Sequence, residues 1–178
     1  MHDPTLSTAQ HRELIEALAH SHVLPHDTLP VEECLGRRLA VDVRSLIPLP
    51  PFTNSAMDGF AVRREDLEGE GPWTLPVAGD IPAGDTRDNR LEAGQAWRIM
   101  TGAPIPAGAD TVVKVEDTDH AAGIAQAPET VEIRVAPKLG ENVRVAGEAL
   151  AAGSPVLEAG RVLDGAALAA ATSVGHGT

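Results

Sequence analysis

Polar side chains that could bind ions are concentrated in three short segments of the chain. The first segment, residues 50–60 (PPFTNSAMDGF), places Asn54, Ser55 and Asp58 in a loop that ends at Gly59. These polar side chains stand where a sheet would not need them, so they are candidates for a functional loop. The same residue types are common turn formers, and that interpretation needs no ligand.

The other two segments have features that suit an anion. In residues 98–113 (RIMTGAPIPAGADTVV), a strand pattern ends at Thr101 and is followed by a loop of glycine and proline. Such a loop can present backbone N–H groups and the hydroxyl to an oxyanion, although its prolines remove two donors. Taken alone, the segment favours a proline-rich hairpin connection. In residues 140–148 (GENVRVAGE), Arg144 could bind a phosphate or pair with a surface carboxylate.

The charge of the chain argues against nucleic acid as a partner. Its 178 residues include 14 lysines and arginines and 26 aspartates and glutamates, for a formal net charge of −12. The arginines are scattered, whereas binding to a phosphate backbone needs clustered cations. No apolar run approaches the roughly 20 residues of a membrane-spanning helix, and the N-terminus is polar. We therefore expect a cytoplasmic protein with no nucleic-acid or membrane partner.

Signatures of several other common sites are missing from the sequence. There is no G-x-S-x-G elbow, P-loop or dinucleotide-binding fingerprint. Five of the seven histidines lie within the first 26 residues without the ligand spacing of a zinc site, and Cys34 is the only cysteine. We interpret these histidines as solvated surface residues.

Helices are predicted near both ends of the chain, with short strands between them. Ser7 and Gln10 form a capping-box pattern ahead of apolar residues at helical spacing, which predicts a helix over residues 8–20. Further patterns predict a short helix at 31–35, a strand at 38–45 and an alanine-rich helix at 165–172. The other strand patterns cover residues 59–62, 73–78, 96–100, 111–115 and 130–135.

This order of elements predicts an α+β fold in which one unit is inserted into another. Three prolines within residues 47–52 exclude a helix and mark a crossing between units. We expect residues 1–50 and 138–178 to form a discontinuous, helix-containing α+β domain. Residues 51–137 are expected to form an inserted, mostly antiparallel β-rich domain.

Four segments follow one another in an order that is typical of one protein family. They read PPFTNSAMDGFAV, PVAGDIPAG, RIMTGAPIPAGADTVVKVEDT and GENVRVAGE. Together they resemble the N-terminal part of the molybdopterin molybdenumtransferase family, the MoeA and gephyrin E-domain proteins. Members of that family are longer, and the resemblance implies that their pterin-binding α/β domain and C-terminal β domain are absent here.

The resemblance implies a role in molybdenum cofactor biosynthesis. Family members combine adenylylated molybdopterin with molybdate, using Mg²⁺, to give molybdenum cofactor and AMP. Their active site lies in a cleft between two subunits, which implies a homodimer, and a molybdopterin adenylyltransferase acts upstream. Only one wall of that cleft is expected in this sequence, so the 178-residue chain alone is predicted to be inactive.

The resemblance also implies roles for individual residues. Asp58 is carried over as a catalytic residue and Mg²⁺ ligand, Thr101 as a hydroxyl donor to an oxyanion, and Arg144 as the group that neutralises phosphate or molybdate charge. The residues predicted to bind substrate are Asn54, Ser55, Gly102 and Glu148.

Several positions depart from the family pattern. Thr53 and Phe60 replace the usual Asp and Tyr, and Val145 and Ala146 stand where the family has a basic run. Ala149 stands where active members have a carboxylate. A methyl group neither binds Mg²⁺ nor accepts a proton, and the adjacent Glu148 is expected to point in a different direction. Ala149 and the expected absence of the α/β domain support a second interpretation, in which the chain is a non-catalytic binding or dimerisation module derived from the family.

Overall fold

The computed structural model describes residues 5–22, 25–121, 123 and 126–177. Within them lie two α-helices, nine short strands and three single-turn 3₁₀ helices. The α-helices are α1 (Thr8–Ser21) and α2 (Gly165–Ser173). The strands are β1 (Val43–Arg44), β2 (Asn54–Ser55), β3 (Gly59–Val62), β4 (Trp73–Ile81), β5 (Ala96–Ile99), β6 (Thr111–Lys114), β7 (Thr130–Ile133), β8 (Val143–Arg144) and β9 (Pro155–Leu157). The 3₁₀ turns are Val31–Glu33, Arg64–Leu67 and Val115–Asp117.

Five strands form the central sheet in the order β6-β3-β5-β4-β7. All neighbours are antiparallel except β4 and β5, which run parallel. Phe60 of β3 lies opposite Arg98 of β5 and Val113 of β6. Aliphatic side chains dominate both packed clusters, one around Phe60 and one around Ile99, as the scarcity of aromatic residues predicts. The expected α+β class and mostly antiparallel β unit are confirmed.

Gly59 allows the loop before β3 to enter the sheet. A Cβ atom at this position would lie 1.9 Å from the backbone oxygen of Val113 and 2.9 Å from Cα of Lys114. Those neighbours are backbone atoms of β6, which cannot rotate away. The strand therefore begins where two backbones approach each other more closely than any side chain allows.

A third packed cluster joins residues from the two ends of the chain. β1 pairs with β9 in antiparallel fashion, and α2 packs against β9. Leu157, Leu163 and Ala167 form its buried part, and Cys34 packs at its edge as an apolar filler. This contact between early and late residues is the arrangement that a discontinuous domain requires.

Helix α1 has the predicted capping box but does not bury its apolar side chains. The Ser7 hydroxyl accepts the Gln10 amide at 3.3 Å, and Gln10 Oε1 accepts the Ser7 amide at 2.9 Å. Leu14, Ile15 and Leu18 are between 52% and 61% exposed. None of the helices within the described residues is long and apolar enough to cross a membrane.

Two of the predicted elements were wrong in extent. The helix expected at 31–35 is the single 3₁₀ turn Val31–Glu33, and Gly36, at φ 77°, leads the chain out of it. The strand expected at 38–45 is reduced to β1 and one isolated bridge from Arg38 to Val162. β9, the partner strand of β1, has only three residues, so the pairing between β1 and β9 is short.

Candidate functional site

Strand β2 joins the three segments that the sequence analysis singled out. On one side β2 pairs with β8, so that Asn54 lies opposite Arg144. On the other side, the Gly102 amide donates to the carbonyl oxygen of Ser55 at 2.8 Å. The Ser55 amide donates in return to the carbonyl oxygen of Ala103 at 3.0 Å. The structure thus brings two segments next to the same short strand, although they lie about 45 and 90 residues after it in the sequence.

Asp58 and Thr101 are joined by two hydrogen bonds. Oδ1 of Asp58 accepts the Thr101 amide at 2.7 Å and the Thr101 hydroxyl, also at 2.7 Å. These bonds stabilise the ionised carboxylate, so they hold the pKa of Asp58 below its ordinary value. Desolvation opposes that shift, and the positive charge of Arg98 adds to it. The Thr101 hydroxyl therefore donates its hydrogen bond to Asp58 and not to a ligand.

The loop after β5 does not form the oxyanion nest that was considered from its sequence. Four of its amides donate to acceptors inside the protein at 2.7 to 3.2 Å, namely those of Thr101, Gly102, Ala103 and Ile105. An oxyanion would have to displace one of these bonds to reach an amide. Gly102 instead serves the turn itself, since it adopts φ 79° with open space around its Cα.

Arg144 is the exposed cation of this group of residues. Its guanidinium forms no hydrogen bond or ion pair with any residue that the structure describes. The two amides that follow it are already capped, Val145 by Glu148 Oε2 at 3.0 Å and Ala146 by the Thr53 hydroxyl at 3.3 Å. These caps fix the turn after β8, while the charge of Arg144 remains accessible to an anion.

The other residues that were predicted to bind substrate have structural contacts. Asn54 and Ser55 are only 6% and 0% exposed. Asn54 Nδ2 donates to the Phe52 carbonyl oxygen at 3.0 Å, and the Ser55 hydroxyl donates to the Met57 carbonyl oxygen at 2.6 Å. Both side chains therefore shape the loop from the inside, and their burial argues against direct contact with a ligand. Glu148 is exposed, but it is engaged in the cap described above.

Ala149 occupies the position at which the resemblance implied a carboxylate. Its side chain is exposed, and its amide donates to the Leu49 carbonyl oxygen at 3.0 Å. The backbone at this position is thus held in place without a side chain that could bind a ligand. Thr53, the other polar departure, has taken a role in capping the neighbouring turn.

The available donors fit Mg²⁺ only in part. The described part of the chain contains no group of three or more His, Cys, Asp or Glu side chains that could hold a metal ion. Asp58 offers one carboxylate whose Oδ1 is already engaged by Thr101. Mg²⁺ commonly binds through one or two carboxylates together with substrate phosphates and water. The donor set therefore fits an ion that arrives with a phosphate group, and Asp58 is the residue that would contact it.

Arg98 belongs to the same region and was not singled out from the sequence. Its side chain is 8% exposed, and Nη1 lies 3.4 Å from Oδ2 of Asp80. Arg98 and Asp58 both line a cavity of about 60 Å³. The available signal was an arginine between Trp97 and Ile99 in an otherwise apolar strand, where a charged residue is costly unless it is paired.

Comparison with known proteins assigns the family. Residues 6–175 match the family described as the MoeA N-terminal region (domain I and II). The chain belongs to this family. As a MoeA N-terminal region, it is 44% identical over 151 residues to molybdopterin molybdenumtransferase 2 of Mycobacterium tuberculosis, covering 83% of this chain and 36% of that protein. It is 38% identical over 169 residues to molybdopterin molybdenumtransferase of Synechococcus elongatus, and the match covers 93% of this chain and 40% of that protein.

The fold of this MoeA N-terminal region is also found in a solved structure. The crystal structure of a molybdopterin biosynthesis MoeA protein from Pyrococcus horikoshii superposes with a TM-score of 0.81 at 30% identity. The match covers 93% of this chain and 42% of that one. The chain thus spans less than half the length of the relatives that it matches.

Proposed function

We propose that this chain supplies one wall of the active site of a molybdenum insertase in molybdenum cofactor biosynthesis. The substrates are adenylylated molybdopterin and molybdate, and the products are molybdenum cofactor and AMP. One observation carries the proposal. Strand β2 connects the exposed guanidinium of Arg144 to the hydrogen-bonded pair of Asp58 and Thr101.

The charges of the proposed substrates explain why Arg144 is important. Both substrates are anions, whereas the chain carries a formal net charge of −12. The field of the whole chain therefore opposes binding, and local cations must overcome it. The planar guanidinium of Arg144, which has no partner among the residues that the structure describes, can bind two oxygens of a phosphate or an oxyanion at once.

Asp58 and Thr101 are proposed to hold the opposite end of the same substrate. Because the Thr101 hydroxyl donates its proton to Asp58, its oxygen can act toward a ligand only as an acceptor, which suits a cation. Mg²⁺, when it is bound to the pyrophosphate, would neutralise charge that Arg144 does not reach. Asp58 would then contribute one carboxylate oxygen to that ion.

The complete site is proposed to need a second subunit. In the family that the chain belongs to, the cleft forms between two subunits, so we infer a homodimer in which this wall faces domains beyond the matched region. The adenylylated substrate requires an adenylyltransferase that acts before the insertase. The chain of 178 residues by itself is expected to release no AMP.

A fusion with the missing domains tests the proposal. This chain would replace the matched region of the Mycobacterium tuberculosis relative, and AMP release would be followed after addition of molybdate to the adenylylated pterin. Arg144→Met should lower kcat/KM about 100-fold, because one charge-stabilising contact is lost. Arg44→Met is the matched control, since Arg44 is also exposed, lies on a two-residue strand and donates to the Gly153 carbonyl oxygen. Equal rates for both variants would contradict the proposed site.

A second candidate function is a non-catalytic binding or dimerisation module. Ala149 favours it, because this position lacks the carboxylate found in active family members. The same fusion separates the two functions. If the fusion releases no AMP while its Ala149→Asp variant does, the chain has lost catalysis and retains only the shape of the wall. Activity of the unaltered fusion would contradict the module.

A further inference from the structure

We propose that a cleft beside the third packed cluster binds a small organic anion that has an apolar body. The cleft has a volume of about 580 Å³, which is within the range of small-molecule sites. The described residues that line it include two arginines, Arg37 and Arg38, and three leucines, Leu29, Leu39 and Leu163. None of the described lining residues belongs to the candidate site above, so the inference goes beyond the proposed function.

The backbone that carries the two arginines is hydrogen-bonded to a late segment of the chain. The Gly36 amide donates to the Leu163 carbonyl oxygen, and the Leu163 amide donates to the Arg37 carbonyl oxygen, both at 2.8 Å. The Leu39 amide donates to the Arg161 carbonyl oxygen, also at 2.8 Å. This wall of the cleft is therefore ordered before a ligand arrives, which lowers the entropic cost of binding.

Both guanidinium groups are restrained in direction but are not neutralised by an ion pair. Nε of Arg37 donates to the Glu33 carbonyl oxygen at 3.1 Å. Nη1 of Arg38 donates to the Gly160 carbonyl oxygen. Neither arginine forms an ion pair with a residue that the structure describes. Each guanidinium therefore keeps its charge and further N–H donors for an anionic ligand.

One carboxylate lies in the same wall. Asp27 lines the cleft and forms no ion pair with a described residue. Since two arginines and one aspartate line the cleft, the formal charge of its described lining is positive when His26 is neutral. The chain as a whole carries −12, so this cleft is a local exception to its negative charge. The local charge favours an anion over a neutral ligand.

The leucines give the ligand its second required property. Leu163 is only 7% exposed and belongs to the third cluster, against which Leu39 and Cys34 also pack. Burial of each methylene group of a ligand against such a surface raises affinity roughly fourfold. An anion without a carbon chain would gain nothing from these contacts. The lining therefore fits a carboxylate or a phosphate monoester that carries an apolar group.

Titration of the ¹⁵N-labelled full chain with hexanoate and with hexyl phosphate tests the inference. At least one probe should shift the amide resonances of Gly36, Leu39 and Leu163, and the tighter of the two identifies the preferred anionic group. Acetate, which lacks the chain, and hexanol, which lacks the charge, should each bind at least about tenfold more weakly than that probe. The inference is overturned if neither probe shifts these resonances, or if acetate or hexanol binds as tightly.

Substitution of the arginines provides a second test. Arg37→Met and Arg38→Met should each weaken binding of the tighter probe about tenfold, because each removes a charge-assisted contact. Arg161→Met is the matched control, since Arg161 is exposed and forms no ion pair with a described residue but is not among the lining residues. Unchanged affinity in both cleft variants, or an equal loss in the control, would overturn the proposal.

The design remains decisive if a methionine variant does not fold. Arg37→Gln or Arg38→Gln then takes its place, and the same comparison with Arg161→Gln applies. The readout is the affinity for the probe, and no AMP is formed or measured. The result is therefore independent of the proposed insertase activity.

Discussion

At the scale of single residues, the candidate site depends on how Asp58 is held. An exposed carboxylate is ordinarily free to rotate and exchanges its partners with water. Here both a backbone amide and a hydroxyl of Thr101 converge on one oxygen, Oδ1. The second oxygen is thereby given a defined direction, which is the property that a ligand for a phosphate-bound ion needs.

The pKa of Asp58 provides a direct test of this contact. The hydrogen bonds from the Thr101 amide and then from its hydroxyl lower the pKa below the ordinary value. A folded-state pKa that is lower than the unfolded one stabilises the protein above the unfolded pKa, and this contribution is lost as the pH falls through the folded pKa. Thr101→Val removes one of the two bonds and should raise the pKa of Asp58.

Carboxyl ¹³C chemical shifts followed against pH would measure the pKa. Thr172→Val, which removes a hydroxyl bonded to the Leu168 carbonyl oxygen far along the sequence, is the control and should leave it unchanged. The same Asp58 pKa in the unaltered chain and in Thr101→Val would show that the hydroxyl does not stabilise the carboxylate.

The sequence predicted the polar residues of the site but not what they bond to. The segments that carry Thr101 and Arg144 both lie beside β2, which the motifs alone did not predict. Ser55 looked equally suited to bind a ligand, yet it is buried, because a serine in a tight turn can satisfy a nearby backbone carbonyl. Such local bonds depend on the exact path of the loop, which residue type and spacing do not define.

At the scale of elements, the entry into β3 is the part of the fold that tolerates the least change. The loop that carries Asp58 joins the sheet at Gly59, in contact with the backbone of β6. The position of the carboxylate relative to Thr101 therefore depends on the pairing of β3 with both β5 and β6.

Two glycine substitutions should separate a steric requirement from a conformational one. Gly59→Ala places a methyl group 1.9 Å from the Val113 oxygen, and should destabilise the fold by about 3 kcal/mol or more. Gly102→Ala meets no atom within 4 Å and has only the strain of φ 79°, which costs about 1–2 kcal/mol. Urea unfolding measures both. A similar loss of unfolding free energy in the two variants would contradict the close approach of β3 and β6.

The strands that have four or more residues in the structure were predicted well, and the two-residue pairings were missed. The strands at 59–62, 111–114 and 130–133 show apolar runs that the sequence analysis recognised. β2 and β8 have only two residues each, which is too short for any period to be seen. The parallel pairing of β4 with β5 was also missed, since it depends on a connection through residues 82–95 that has no strand or helix pattern.

At the scale of the whole molecule, the chain corresponds to only part of the relatives that it matches. It matches 36% to 42% of the length of the relatives compared above. Its net charge of −12 is unfavourable for the two anionic substrates of the proposed reaction, so local cations must offset the field of the whole chain. In the proposed function, this chain contributes the order of one loop and the charge of one arginine.

The most direct test of this account is the rate of AMP release by the fusion protein when Asp58 is changed to Asn. Asp58→Asn preserves the shape of the side chain but removes its negative charge, and should lower kcat/KM about 100-fold. Asp42→Asn is the matched control, because Asp42 is an exposed carboxylate that accepts the Ala159 amide at 2.9 Å, and it should leave the rate unchanged. A rate in Asp58→Asn equal to that of the Asp42 control would contradict the assignment of this surface to the insertase site.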